Sequence, residues 1–162
     1  MMPLPKQINE RAVCAALAPE KDLDCLQPAN CGLLYLGQSK WGPCTPRACL
    51  AILDYYQVDV AGKHVVVIGR SNVVGKPVAL LLLQRNATVT ICHSKTANLS
   101  AIIQSADVVI AAVGRAGFVK PEMLRDGVIL VDVGINALPE GGIMGDIDPA
   151  CYAKAAAYTP VP

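Results

Sequence analysis

Histidine, aromatic residues and net charge are all scarce in this chain of 162 residues, and each scarcity removes a class of function. Two histidines, His64 and His93, accompany seven cysteines, no two of which form a CxxC pair, so a structural zinc site is not expected. Lysine and arginine total 14 against 13 acidic residues, a formal charge of +1, which leaves no electrostatic footprint for nucleic acid and no acidic tail. Long hydrophobic runs are missing too. Val78–Leu83 and Val108–Val113 are uninterrupted for six residues each, whereas a membrane-spanning helix needs roughly 20. The opening Met-Met-Pro-Leu-Pro-Lys has no basic-then-apolar leader pattern. An odd number of cysteines without such a leader predicts free thiols and a reducing, cytoplasmic setting.

What is abundant is aliphatic. Hydrophobic residues make up 53% of the chain while aromatics supply 4%, and short Val/Ile/Leu/Ala runs suit parallel strands buried on both faces. Pro3 and Pro5 exclude a central strand at the start. Asn9 to Ala18 reads as a helix capped by Asn9 and stopped by Pro19. Lys21-Asp22-Leu23-Asp24 reads as a charged turn and Gly37 to Pro46 as a loop. Thr45-Pro46 opens a second helix, whose Cys49, Ile52, Leu53 and Tyr56 fall at i, i+3, i+4 and i+7 and predict one buried face.

From Gly62 onward, strand and helix alternate. Strands are predicted at 64–68, 87–92, 107–113 and 128–133, with helices at 76–85 and 99–104 and a helical turn at 121–124. Glu140-Gly141-Gly142 reads as a small hairpin, and 149–157 as a last short helix. This spacing predicts a Rossmann-like, doubly wound α/β fold around a mainly parallel sheet. The division expected is a lead-in over 1–30 and a dinucleotide-binding domain over 31–162.

Gly69-Arg70-Ser71-Asn72-Val73-Val74-Gly75 joins the first of these strands to its helix. That is where an α/β protein binds phosphate, because glycines admit a close backbone and the amides at the helix start face an anion. The spelling departs from GxGxxG, and the alternative is that Gly69 and Gly75 serve only a tight turn. An NAD-preferring site places a carboxylate about 20 residues further on. Cys92-His93-Ser94-Lys95-Thr96 stands there instead, with hydroxyls and a cation. Together with Arg70, this set suits the 2′-phosphate of NADP, although Ser94 and Thr96 could also simply cap the following helix.

Several longer stretches converge on one family. Pro19-Glu20-Lys21-Asp22-Leu23-Asp24, Pro43-Cys44-Thr45-Pro46, Val67 through Pro77, Ala87 through Thr96, Asp132-Val133-Gly134-Ile135-Asn136, Gly145-Asp146-Ile147 and Thr159-Pro160-Val161-Pro162 resemble the bifunctional methylenetetrahydrofolate dehydrogenase/methenyltetrahydrofolate cyclohydrolase (FolD) family. The resemblance covers essentially the whole chain. It implies NADP-dependent oxidation of 5,10-methylene- to 5,10-methenyltetrahydrofolate, then hydrolysis to 10-formyltetrahydrofolate. It places Gly69, Arg70, Ser71, Ser94, Ile135 and Thr45 at the NADP site and Asp24 on the pterin. An ionised carboxylate can accept the pterin's adjacent N–H donors in parallel. The resemblance also implies a homodimer.

Three departures qualify it. Family members are nearly twice as long, and their N-terminal lobe, with a folate-stacking tyrosine and the lysine of the cyclohydrolase step, precedes the Pro-Leu-Pro segment. Met1 and Met2 stand where the family ends that lobe in glutamine and leucine. The glycine-rich stretch and helix that follow Thr-Pro-Val-Pro in the family have no counterpart before Pro162. Cys25 stands where the family carries glycine, and cysteine resists backbone conformations that glycine permits. The expectation is therefore the cofactor half of the enzyme, with no catalytic residue of its own and its partner lobe either supplied in trans by a separate chain or missing from this sequence. The alternative is a non-catalytic NADP-binding module, and a shikimate- or malate-type dehydrogenase domain is a more distant one.

Overall fold

The computed structural model describes residues 4–162; Pro3 and the two leading methionines lie outside it. Five parallel strands form the central sheet: β1 (His64–Ile68), β2 (Thr88–Cys92), β3 (Val108–Ala111), β4 (Val128–Asp132) and β7 (Ala155–Tyr158). Their order is β2-β1-β3-β4-β7. A two-stranded antiparallel hairpin, β5 (Asn136–Ala137) and β6 (Ile143–Met144), stands apart, with Glu140-Gly141-Gly142 in its turn. The α-helices are α1 (Glu10–Ala16), α2 (Pro28–Tyr35), α3 (Cys44–Tyr55), α4 (Gly75–Gln84) and α5 (Leu99–Gln104). None of them is long and apolar enough to cross a membrane.

The strand sequences explain the layers. Successive side chains on a strand face opposite ways, so Val65 and Val67 of β1 enter one core while Val66 and Ile68 enter the other. The first core is closed by Leu50 and Leu53 of α3 and Val78 and Leu82 of α4. The second is closed by Ile103 of α5 with Leu124, Ile147 and Cys151. Helices thus cover both faces, as a parallel sheet of β-branched residues requires.

Four readings of the sequence need correction. The segment 155–157 is not helical: a 3-10 helix ends at Lys154 and β7 follows, pairing with β4. The buried face of α3 is Pro46, Cys49, Leu50 and Leu53, leaving Ile52 and Tyr56 exposed. Thr45 does not cap α3, whose N-cap position is Pro43. Asp22, read as part of a charged turn, is 2% exposed. A helix that the pattern did not announce, α2, is capped by the side chain of Gln27.

Candidate functional site

The carboxyl ends of β1, β2 and β3 open onto a cleft of about 450 Å³. Its first wall is the turn after β1, where Gly69, Arg70 and Ser71 line the space. Gly69 adopts φ +127, and a Cβ there would sit 2.2 Å from the Ala112 carbonyl oxygen at the end of β3. A Cβ on Gly75 would meet the Gly69 carbonyl oxygen at 2.2 Å. The two glycines therefore let strand end, turn and helix start touch backbone to backbone. Ser71 Oγ accepts hydrogen bonds from the Val74 and Gly75 amides at 3.0 and 3.3 Å, so this side chain caps the start of α4.

The second wall is the segment after β2, with His93, Ser94 and Thr96. Thr96 Oγ1 accepts from the His93 amide at 2.8 Å, and His93 Nδ1 accepts from the Lys95 amide at 3.1 Å. These bonds fold the segment into a tight turn that leaves Ser94 and Lys95 exposed. Among the described residues, no carboxylate lines the cleft.

The third wall was not anticipated from the sequence. Ala112, Val113, Arg115 and Phe118 line it, and its backbone hangs on a buried aspartate. Asp146, with no exposed surface, accepts from the amides of Val113 (2.5 Å), Gly114 (2.9 Å) and Arg115 (2.8 Å) and from Asn136 Nδ2 (2.9 Å). Asp132 supports it in turn, accepting from the amides of Gly134, Asp146 and Ile147 at 2.8–2.9 Å. Burial pushes the Asp132 carboxyl above the usual range, although the Ile147, Asp146 and Gly134 amides pull it back in part. The signal for this network lay in the Gly145-Asp146-Ile147 and Asp132-Val133-Gly134-Ile135-Asn136 stretches, which carry the family resemblance but whose spacing does not show that they meet.

Of the residues expected at a cofactor site, Gly69, Arg70, Ser71 and Ser94 come together in this cleft. Ile135, 75% exposed beyond β4, and Thr45, exposed in the first turn of α3, are not among its lining residues. Asp24 stands elsewhere. Its Oδ1 accepts from the Cys44 amide at 2.5 Å and so supplies, from 20 residues away, the cap that Thr45 does not give α3. Cys25 beside it takes φ +50, the left-handed conformation glycine would adopt freely. Cys25 is held there by burial, by its thiol donating to the Trp41 carbonyl at 3.1 Å, and by the Cys31 thiol donating to the Cys25 carbonyl at 3.0 Å. Asp22 fixes the same turn, accepting from the Leu26 and Gln27 amides and from Asn30 Nδ2 at 2.8–3.0 Å. Burial raises its pKa, but those three donors outweigh burial and hold the carboxyl below its ordinary value.

All seven cysteines are free. Burial pushes the thiols of Cys49 and Cys151 up to about 11, so neither is a nucleophile near neutrality. Among the described residues, no group of His, Cys, Asp or Glu is arranged to hold a metal ion.

Comparison with known proteins bears on this arrangement. The model of the tetrahydrofolate dehydrogenase/cyclohydrolase NAD(P)-binding domain matches residues 43–162. The bifunctional protein FolD of Herpetosiphon aurantiacus is 54% identical over 162 residues, covering 99% of this chain and 57% of that protein. The crystal structure of the Campylobacter jejuni bifunctional FolD enzyme superposes with a TM-score of 0.95 at 42% identity, covering 99% of this chain and 58% of that one. A Trypanosoma brucei FolD, solved with NADP cofactor and inhibitor, gives a TM-score of 0.92 at 37% identity, covering 100% and 58%. An NAD-dependent 5,10-methylenetetrahydrofolate dehydrogenase of Saccharomyces cerevisiae shares the fold, with a TM-score of 0.77 at 20% identity, covering 94% of this chain and 59% of that one. The chain thus spans somewhat over half the length of the proteins it matches.

Proposed function

The chain belongs to the tetrahydrofolate dehydrogenase/cyclohydrolase family, and from that premise we propose that it provides the NADP-binding side of a methylenetetrahydrofolate dehydrogenase/cyclohydrolase. The observation that carries the reading is the cleft at the carboxyl ends of β1–β3. It has a close-packed glycine turn on one side, Arg70 and Ser94 at its mouth, and no lining carboxylate. Ligands of doubly wound sheets collect at this edge.

The donor set fits a phosphorylated dinucleotide. Arg70 is exposed and takes part in no ion pair among the described residues, so its guanidinium is available to a phosphate. A 2′-phosphate accepts well from a guanidinium and a hydroxyl, and a carboxylate in their place would repel it. When bound, NADP accepts a hydride from the folate's methylene carbon. This chain's share of that step is positional: it holds the cofactor against the sheet end so that the reacting atoms stay in reach. Asp24, on the turn fixed by Asp22, would take the pterin. A carboxylate offers about four lone-pair directions, and the Cys44 amide occupies one of them.

Titration calorimetry with NADP and NAD on the wild-type chain and on Arg70→Ala tests the cofactor reading. NADP should bind more tightly than NAD, and the substitution should weaken NADP by about 1.5–3 kcal/mol, the worth of a charge-assisted hydrogen bond. Equal affinities for the two cofactors, or an unchanged NADP affinity in the variant, would count against it.

A further inference from the structure

Arg70 is not the cleft's only guanidinium. Arg115 enters from the opposite wall, on the segment after β3, and nothing in the sequence pattern or the family match marks it. Three observations set it apart from an ordinary surface arginine. Its amide is fixed by the fully buried carboxylate of Asp146 at 2.8 Å, so the root of the side chain is immobilised. The guanidinium lies 5.1 Å over the ring of Phe118, another residue of the same wall. It makes no ion pair among the described residues, so its charge is uncompensated.

The cleft therefore has a cation on each side, Arg70 on the turn after β1 and Arg115 on the turn after β3, and no carboxylate between them. A phosphomonoester carries about −1.5 to −2 charges near neutrality, more than a single guanidinium neutralises. A diester or pyrophosphate oxygen carries less and is served by the backbone amides of a glycine turn. We propose that Arg115 is a second specificity-determining residue for the phosphomonoester of the cofactor. Phe118 and Asp146 are its positioning residues: the Phe118 ring attracts the guanidinium and Asp146 holds its backbone. This rests on the cofactor reading above and adds to Arg70 a second residue that favours the 2′-phosphorylated dinucleotide over the unphosphorylated one.

The test uses the full chain and four probes: NADP, NAD, adenosine 2′-monophosphate and adenosine 5′-monophosphate. In Arg115→Ala, affinity for NADP and for the 2′-monophosphate should fall about tenfold or more, while NAD and the 5′-monophosphate bind as before. Arg115→Lys, which keeps the charge but loses the planar fork, should recover part of the loss. Arg115 is exposed, so an unchanged melting temperature is expected and separates binding from folding. A merely structural role would weaken all four probes together, and that result overturns the proposal. So does an unchanged ratio of NADP to NAD affinity. If the wild-type chain binds none of the probes, the cofactor reading itself fails, which is a distinct outcome.

Discussion

A single methyl group is enough to test the turn after β1. At Gly69 a Cβ would lie 2.2 Å from a backbone oxygen at φ +127, and neither partner is a flexible side chain that could move aside. Gly69→Ala should therefore cost on the order of 2–5 kcal/mol, strain and overpacking together, and weaken NADP by tenfold or more. Gly127 is the control. It also has positive φ, +76, but nothing lies within 4 Å of its would-be Cβ, so Gly127→Ala should cost about 1–2 kcal/mol and leave cofactor affinity unchanged. Urea midpoints with calorimetry on both variants measure the difference. Equal costs would mean that positive φ, and not the approach of β1 to β3, sets the requirement at residue 69.

At the level of elements, buried Asp146 and half-buried Asp132 tie the ends of β3 and β4 to the hairpin and the segment after it, beside the backbone bonds between Val119 and residues 146–148. Asp146→Ala would leave three amides without their side-chain acceptor and cost Asn136 Nδ2 one of its two, the Met144 carbonyl remaining. An orphaned buried donor costs about 1–3 kcal/mol, and Gly114 and Arg115 are exposed enough for water to replace part of the loss, so a loss of about 1–3 kcal/mol in chemical denaturation is expected, with weaker NADP binding. Asp146→Asn, which keeps one acceptor oxygen, should lose less. The same elements show what pattern reading can and cannot reach. Strands β1, β3 and β4 announce themselves as β-branched runs, and β1 and α5 appear at their predicted bounds. β7 does not, because Ala155-Ala156-Ala157 favours helix by propensity and becomes a strand only by pairing with β4. Helix α2 is hidden by Asn30 and Gly32 in its interior. It is held from outside, by Gln84 Nε2 on the Leu34 carbonyl and Asn30 on Asp22. The cap on α3 comes from Asp24, and local spacing cannot point to an acceptor 20 residues away. The site followed the same rule: Gly69, Arg70 and Ser71 lie on the turn after β1 and Ser94 on the turn after β2, both local strand–turn–helix patterns, whereas the backbone of Arg115 is held by Asp146, an acceptor 31 residues away.

For the molecule as a whole, the expectation concerns turnover rather than binding. Hydride transfer requires the reacting carbons to be held at roughly 3–3.5 Å, and the cyclohydrolase step requires a positioned acid/base group near working pH. Residues 1–162 supply the cofactor cleft and Asp24. None of their lysines (6, 21, 40, 63, 76, 95, 120 and 154) lines that cleft or stands in a stretch like the family's catalytic-lysine motif. Lys120 is engaged with Asp148 at 2.8 Å, which raises its pKa and makes it a poorer proton acceptor near neutrality. The 162-residue polypeptide should therefore bind NADP yet give no dehydrogenase or cyclohydrolase turnover by itself. Absorbance of methenyltetrahydrofolate, followed with NADP present, reads both steps. Adding the N-terminal lobe of a FolD relative as a separate polypeptide should restore turnover. In that reconstituted mixture, Asp24→Asn should raise KM for the folate more than it lowers kcat if, as proposed, the carboxylate holds the pterin in ground and transition state alike. Robust turnover by residues 1–162 alone would place the acid/base group within them. Cofactor binding that no added lobe converts into turnover would leave the chain a binding module.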